Sequence, residues 1–568
     1  MLVRRLFFVF LLLGLVAGSA IFLVPRSWLP TTLKNLAYFY LGETSYREPP
    51  ESRQIDPVLV EPFCLDRHPD WRKDQTIEGV SIEASPVCDP DNPAEVAAFV
   101  KGTNNVSVHT LMQTRLTPNT VLKENDVDGD GDPDEIHIRL EVVELNGHSP
   151  DDPAPFPAYA IAPGVQPGLW VFAPKSRGMA AENFASGNAH ASLRAPSPVI
   201  RIEQGDRLRV TLENTHYLPH TMHFHGVDHP FVDAAGKGND GVPITSEMPV
   251  TPGESRTYEM TPRQTGTMFY HCHVQPQVHI LMGLQGMFVV EENRPNNWLQ
   301  TLNIGAGRVR HSSVAIGETF DREFDLHYQD IDRSLNNVIQ TANDPRLIAQ
   351  ATNRQYDITD QSPDYFLLNG RSFPYTMRES LVVVEPDQNI KLRVLNGGAE
   401  GLSLHTHGHK VTMTHYDGVE HNPAAQITRD VVWVSPAQRV DLHLKTTNDG
   451  LHNYGEGIWL LHDHKEKAIT TDGINPGGNI SAIVYQAFLG ETGQPKTQGM
   501  DWAAFFTKEY YQKKIPVWTE LDKRGLLGQA GGENFPLSYA LLLGLGIGLL
   551  LGGAFAFGRS GRRPRGEA

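Results

Sequence analysis

The chain has 568 residues, 40% hydrophobic and 20% charged, enough apolar material for more than one packed domain and too much for global disorder. A formal net charge of −17 argues against a nucleic-acid-binding surface, and three cysteines exclude both a disulfide scaffold and a cysteine-rich zinc array. The unusual count is 24 histidines, and their placement decides the reading.

Leu6 to Val24 is an uncharged run of 19 residues behind Arg4 and Arg5, long enough to span a bilayer. Residues 1–28 read as a signal peptide cut after Ala20, or as a retained anchor, since Ile21 to Val24 continue the apolar run past that site. Residues 29–134 form a Pro- and Asp-rich lead-in of unassigned fold, in which Cys64 and Cys88 could pair in an oxidising compartment. At its end Asp126, Asp128, Asp130, Asp132 and Asp134 alternate with small residues, a spacing that suits either Ca²⁺ or a solvated acidic turn. Counted as an EF-hand loop, its position 12 is His137 and not the bidentate Glu, which argues against that motif.

From Ile136 the chain becomes short β-rich runs between Gly/Pro turns: 136–145, 199–214 and 286–292, then 365–370, 380–385, 390–396, 431–434, 439–445 and 480–486. Regular short strands with little helix predict an all-β chain of two Greek-key β-sandwiches, at 135–297 and 298–500. A linker over 501–536 leads to a second uncharged apolar run, Leu537 to Phe557, followed by Arg559, Arg562, Arg563 and Arg565. Read as a transmembrane helix with a basic cytoplasmic tail over 558–568, this run leaves the sandwiches on the extracytoplasmic side of the membrane.

Four short segments carry the histidine signal: His220 to Gly226, Tyr270 to His273, Leu404 to Gly408 and Leu461 to His464. Each contains His-x-His, and on a strand residues i and i+2 share a face, so each pair presents two imidazoles to one place. Eight imidazoles in four pairs, two pairs per sandwich, can surround a multinuclear metal site between domains. Parity adds a second prediction. With His223, His225, His271 and His273 facing outward, Cys272 and His220 face into the first sandwich, and His279 follows after a short loop. A thiolate and two imidazoles converging inside a sandwich make a trigonal blue-copper set.

These motifs resemble the multicopper oxidase family, over roughly residues 135–500. The resemblance implies that His220, Cys272 and His279 bind a type 1 copper, His223 and His405 a type 2 copper, and His225, His271, His273, His407, His462 and His464 a type 3 pair. Three departures from the three-domain laccase pattern stand out. The Cys motif sits in the first sandwich, with Asp463 where the last motif of laccases carries Cys, and Leu402 where a second type 1 site would need His. His279 is seven residues after Cys272, two more than in laccases. The axial position is Leu284, with Met282 and Met287 as alternatives.

The implied function is laccase-like oxidation of a donor coupled to four-electron reduction of O₂ to water. Proton delivery falls to carboxylates near the cluster: Asp240, Glu466 and Asp417. His229 and His409 are read as partners orienting the ligand imidazoles. His216, His415, His421, His443 and His452 are read as surface or strand-end residues. The donor is a phenol, Fe²⁺, Mn²⁺ or a small redox protein; the 12 Met form no Met-rich insertion that would suit Cu(I) oxidation. The rivals are a copper nitrite reductase, which needs no trinuclear ligand set, and a membrane-anchored electron-transfer protein, which needs only the type 1 triad. A chain of only two sandwiches is expected to form a homotrimer with the cluster at the subunit interface, the alternative being a monomer with an intramolecular cluster.

Overall fold

The computed structural model describes residues 121–511, apart from 149–154, 176–192 and the short stretches 298, 310–311, 343, 491–492 and 498–501, together with the strand pair Gln75–Ile77 and Val80–Ile82. Cys64, Cys88 and both terminal apolar runs lie outside the described residues. Among the described residues, no helix is long and apolar enough to cross a membrane.

Four sheets stack as two sandwiches. Layer one holds Ser255–Met260, Arg207–Glu213, Glu135–Leu145 and Val121–Glu124 in that order, with Leu169–Pro174 also paired to Glu135–Leu145. Layer two holds His223–His225, Gly266–His271, Gln285–Glu291, Val199–Glu203 and Leu302–Asn303. Alternation places Ile136, Ile138, Leu140, Leu208, Val210 and Leu212 of layer one against Phe224, Met268, Tyr270, Phe288 and Val290 of layer two. In the second sandwich, layer three includes Arg322–Ile331, Asn389–Asn396, Arg439–Lys445 and Val411–Tyr416, and layer four holds Val382–Val384, Ser481–Tyr485, Ile458–Asp463, Leu402–Thr406 and Val431–Val434. Its core sets Phe324, Leu326, Leu392, Val394 and Leu442 against Leu402, Leu404, Val432, Val434 and Leu461.

The sandwiches meet through layers two and three. Phe269, Met287, Val289 and Val199 on the outward face of layer two pack with Leu395 of layer three. Around this apolar contact lies a buried charge lattice. Arg201 donates to Asp325 at 2.8 and 2.6 Å and to Glu323 at 3.2 Å, and Arg393 reaches both Glu291 oxygens at 2.9 Å. All five side chains are buried, so each charge depends on its partners, and removing one would leave the others uncompensated. The layers therefore run one, two, three, four.

Two boundaries and one insertion differ from the sequence expectation. Val121–Glu124 pairs with Glu135–Leu145, so the acidic segment is a hairpin turn of the first sandwich and not the tail of a lead-in. Leu302–Asn303 pairs with Val199 and Ile200, so layer two extends past 297. A helical insertion between Arg322–Ile331 and Tyr365–Leu368 was not signalled by the strand-rich pattern. Its turns Arg333–Asn336 and Pro345–Gln350 are opened by Asp332 and Asp344, whose side chains accept from the backbone N–H of Ser334 and Arg346. Leu335, Ile339 and Ile348 join the first sandwich's core. Gly168 permits that approach, since a Cβ there would lie 2.2 Å from the Asn336 carbonyl oxygen. These four layers belong to a unit that ends at Trp502; a second begins at Ala503 and includes the helical turn Lys508–Tyr511.

Candidate metal centres

Met268, Tyr270 and Cys272 share the inward face of their strand and its continuation, whereas Phe269 packs outward. His220 stands in the loop before His223–His225, fixed by paired backbone hydrogen bonds with Val250 at 3.1 and 2.8 Å. His279 ends the helical turn Pro276–His279, which Gln275 opens in the left-handed region at φ 45°. That turn takes up the added residues between Cys272 and His279. Cys272 Sγ lies 3.6 Å from His220 Nδ1 and 3.2 Å from His279 Nδ1, and all three side chains are buried.

Burial pushes the Cys272 thiol up to about 12 and the His279 imidazole down to about 3. His220 is also lowered, by burial first and then by His279 and His216. The donor set is therefore two neutral imidazoles with free lone pairs and a thiol that gives up its proton only to a compensating cation. That chemistry fits a soft, thiolate-loving metal and suits copper. Leu284 and Met282 belong to the same buried cluster as Cys272. Met287 does not: it faces the opposite way, beside Phe269 and Leu395 between the sandwiches. The odd spacing from Leu284 turns it to the other side of the strand.

On the outward face of layer two, His223 lies directly across from His271 in strand register. The His223 ring centroid is 5.1, 5.4 and 5.3 Å from those of His225, His271 and His273, and His225 Nε2 is 2.9 Å from His271 Nε2. Burial is the leading cause that lowers His223, His225 and His271, His225 to about 4. The second sandwich repeats the arrangement on the outer face of layer four. His405 lies opposite His462, its ring centroid is 4.6, 5.7 and 5.4 Å from those of His407, His462 and His464, and His407 Nε2 is 3.2 Å from His462 Nε2. Among the described residues no ring contact or hydrogen bond joins the two quartets. One faces the seam between layers two and three; the other lies beyond layer four, across the second sandwich.

The carboxylates divide. Asp240 Oδ1 is 3.3 Å from His223 Nδ1 and 3.1 Å from His229 Nε2, and the Asp240 carbonyl is 2.7 Å from His223 Nδ1. Glu466 Oε1 is 3.5 Å from His464 Nδ1. Asp417 pairs instead with Arg439 at 3.1 Å, and no hydrogen bond or ion pair links it to the imidazole quartets among the described residues. His409 bridges the His407 carbonyl, at 3.0 Å, and the Tyr485 hydroxyl, at 3.1 Å. In the acidic hairpin, carboxylate oxygens of Asp126, Asp128 and Asp130 converge within 4.8 Å, while Asp132 accepts from Asn297 N at 2.8 Å and Asp134 from Asp128 N at 3.1 Å. Three of the five acids face one point and two are turned inward.

His216 corrects the sequence reading. It is buried, not at the surface, and its Nδ1 lies 2.9 Å from His220 Nε2. Trp170 packs edge-on against His216 and His279, with centroids 5.1 and 5.3 Å away, and donates from Nε1 to Glu144 at 3.0 Å. Neither residue has a sequence signal beyond nearness: Trp170 and Glu144 come from layer one, and only the stacking of the layers brings them to the triad.

Residues 191–295 and 343–473 each match a family model described as multicopper oxidase. The chain is 26% identical to an iron transport multicopper oxidase FET3 of Gibberella zeae, covering 57% of this chain and 51% of that protein. It is 25% identical to Laccase-2 of Thanatephorus cucumeris, covering 60% and 50%. The chain thus spans about half the length of these curated relatives. The solved multicopper oxidase mgLAC aligns at 22% identity with a TM-score of 0.46, covering 66% of this chain and 94% of that one. Both matched segments fall within the two sandwiches and contain all four histidine motifs, and over them the chain is similar to multicopper oxidase domains.

Proposed function

We propose that this chain is a laccase-like oxidase that couples one-electron oxidation of a donor to four-electron reduction of O₂ to water. The observation that carries the reading is the buried Cys272, His220 and His279 triad, adjoining in the chain and back to back on one strand with the first imidazole quartet. Copper would supply reversible one-electron exchange at the triad and O₂ reduction where imidazoles gather. By family resemblance His223 and His405 would hold a type 2 ion, and His225, His271, His273, His407, His462 and His464 a type 3 pair. Because His271 and His273 flank Cys272 directly, the peptide backbone links the two sites over the shortest covalent path available. By the same resemblance Leu284 would lie nearest an ion held by the triad, with Met282 the other buried candidate. Asp240, beside His223, and Glu466, beside His464, would hold and release protons at the two quartets.

The layer order favours a homotrimer. A single chain holds its quartets on opposite sides of the second sandwich, so bringing eight imidazoles together calls for layer four of one subunit against the edge of layer two of the next, where His223–His225 is the outermost strand. Exposed apolar residues flank both faces: Trp433, Val431 and Leu460 beside the layer-four quartet, and Phe231, Ile244 and Met248 in the loops around Asp240. A head-to-tail contact of this kind closes as a ring when its rotation divides the circle, and a one-third turn would give three copies and three sites. The apolar runs at 6–24 and 537–557 support attachment of this assembly to a membrane, with the sandwiches on the extracytoplasmic side.

The copper nitrite reductase alternative leaves the complete set of four His-x-His pairs without a purpose. Oxygen uptake by the copper-loaded protein, with a panel of phenolic and metal donors, tests the choice. The expected result is one O₂ consumed per four electrons delivered; no uptake with any donor, with nitrite reduced instead, would overturn the reading.

A further inference from the structure

The triad is sealed. His220 and Cys272 are 0% exposed and His279 is 1% exposed, so no outside donor can touch either imidazole. An electron must reach them across other side chains, and the two imidazoles differ in how they connect to their surroundings. His279 turns Nδ1 to Cys272, and its remote Nε2 is buried with no hydrogen-bond partner among the described residues. His220 also turns Nδ1 to Cys272, but its remote Nε2 lies 2.9 Å from His216 Nδ1.

When Nδ1 of His220 holds a metal, Nε2 carries the proton and donates to His216 Nδ1, which fixes His216 with its own N–H at Nε2. That Nε2 approaches Glu144 Oε2 at 3.7 Å, close enough for electrostatic coupling though beyond a hydrogen bond. The His216 ring lies 3.9 Å, centroid to centroid, from Tyr217, whose hydroxyl donates to the same Glu144 oxygen. Trp170 donates to that oxygen as well, at 3.0 Å. Glu144 retains 21% exposure and Tyr217 is only partly buried. A continuous chain of contacts thus runs from solvent through Glu144 and Tyr217 to His216 and His220. Trp170, which donates to Glu144, also meets the His279 ring edge-on at 5.3 Å, but among the described residues no hydrogen bond reaches the remote nitrogen of His279, so the hydrogen-bonded route leads to His220.

We propose that electrons enter through the His220 side of the triad, by way of His216 and the Glu144–Tyr217 edge, and that the carboxylate there selects cationic one-electron donors. In each event the donor loses one electron and the copper held by His220, Cys272 and His279 gains it, with no bond made or broken; O₂ is the terminal oxidant. His216 is a positioning residue in this scheme, since it acts through His220. The inference rests on the copper reading above.

The test uses the copper-loaded full chain without O₂, following bleaching of the blue thiolate-to-copper band by hexaammineruthenium(II), a cation, and by ferrocyanide, an anion. His216→Phe should keep the band and slow bleaching by both donors roughly 10–100-fold, the usual cost of removing a partner of a metal ligand. Glu144→Gln should slow the cation about 10-fold and speed the anion, through lost electrostatic steering. Gln277→Glu adds charge to an exposed residue of the His279 turn and should leave both rates unchanged. Unaltered bleaching in His216→Phe with its band intact would overturn the inference, as would a change of donor preference in Gln277→Glu and not in Glu144→Gln. If His216→Phe fails to take up copper, Glu144→Gln and Gln277→Glu decide alone. A wild-type protein with no blue band would instead refute the copper reading.

Discussion

The two sandwiches end corresponding strands in the same motif and fill its centre differently. In the first, His271 and His273 face outward and Cys272 points into the core toward His220 and His279. In the second, His462 and His464 keep that orientation, but Asp463 occupies the inward position. Its Oδ1 accepts from the backbone N–H of Ser403 at 3.0 Å and of Lys465 at 3.2 Å. Leu402, buried in the second core, stands where His220 stands in the first. The outward faces therefore each gather an imidazole quartet, and the inward face decides which sandwich offers a thiolate beside two imidazoles. One strand carries both functions because alternate side chains answer to different environments.

The comparison can be broken from the outward side first. His405→Ala, in the quartet on the outer face of layer four, should keep the blue band and abolish O₂ uptake; uptake near the wild-type rate would mean the quartets do not act together. A weaker signal is expected from complementation. Co-expressing Cys272→Ser with His405→Ala pairs an intact first sandwich with an intact second at roughly a quarter of the interfaces of a randomly assembled ring. Oxygen uptake near that fraction of wild type is expected, and none at all, with a monomeric mass, would contradict the shared-interface assembly.

The seam between the sandwiches offers a pH test. Burial holds His327 down at about 3, and its Nε2 lies 3.1 Å from Gln285 Oε1 across the seam. A folded value below the unfolded one, near 6.5, means the fold favours neutral imidazole. Its contribution is whole above about pH 6.5 and is lost as pH falls toward 3. Denaturant titrations should lose about 3 kcal/mol more between pH 6.5 and 4 in wild type than in His327→Gln. Equal pH dependence in both proteins would assign the loss elsewhere. The smallest effect should come from the inward side of the second sandwich. Asp463→Ala strands the Ser403 N–H and should cost about 2 kcal/mol of stability while leaving the blue band unchanged. A changed band would place the coloured site in the wrong sandwich.

Much of this was legible in the sequence. The β-runs mark the strands, and the parity of His271, Cys272 and His273 separates inward from outward chemistry before any coordinates. The stacking order was not legible. Arg201, Glu291, Asp325, Arg393 and Asp441 alternate with apolar residues, as they would on a solvated sheet face, yet they are buried against each other between the sandwiches. Alternation reports which face is polar and cannot say what covers it. His216 was hidden for a related reason: its importance comes from Glu144 and Trp170, which only layer stacking brings near. The insertion at Arg333–Asn336 and Pro345–Gln350 escaped because its helical turns are too short to show a 3.6-residue period.

The central claim is that Cys272 holds the coloured copper in the first sandwich, apart from the imidazole site. Metal content and visible absorption of copper-loaded wild type and Cys272→Ser, measured side by side, test it most directly. The account predicts four coppers per chain and a blue band in wild type, against three coppers, no band and no turnover in the variant. A variant that keeps its blue colour, or a wild type holding only two coppers per chain, would contradict it.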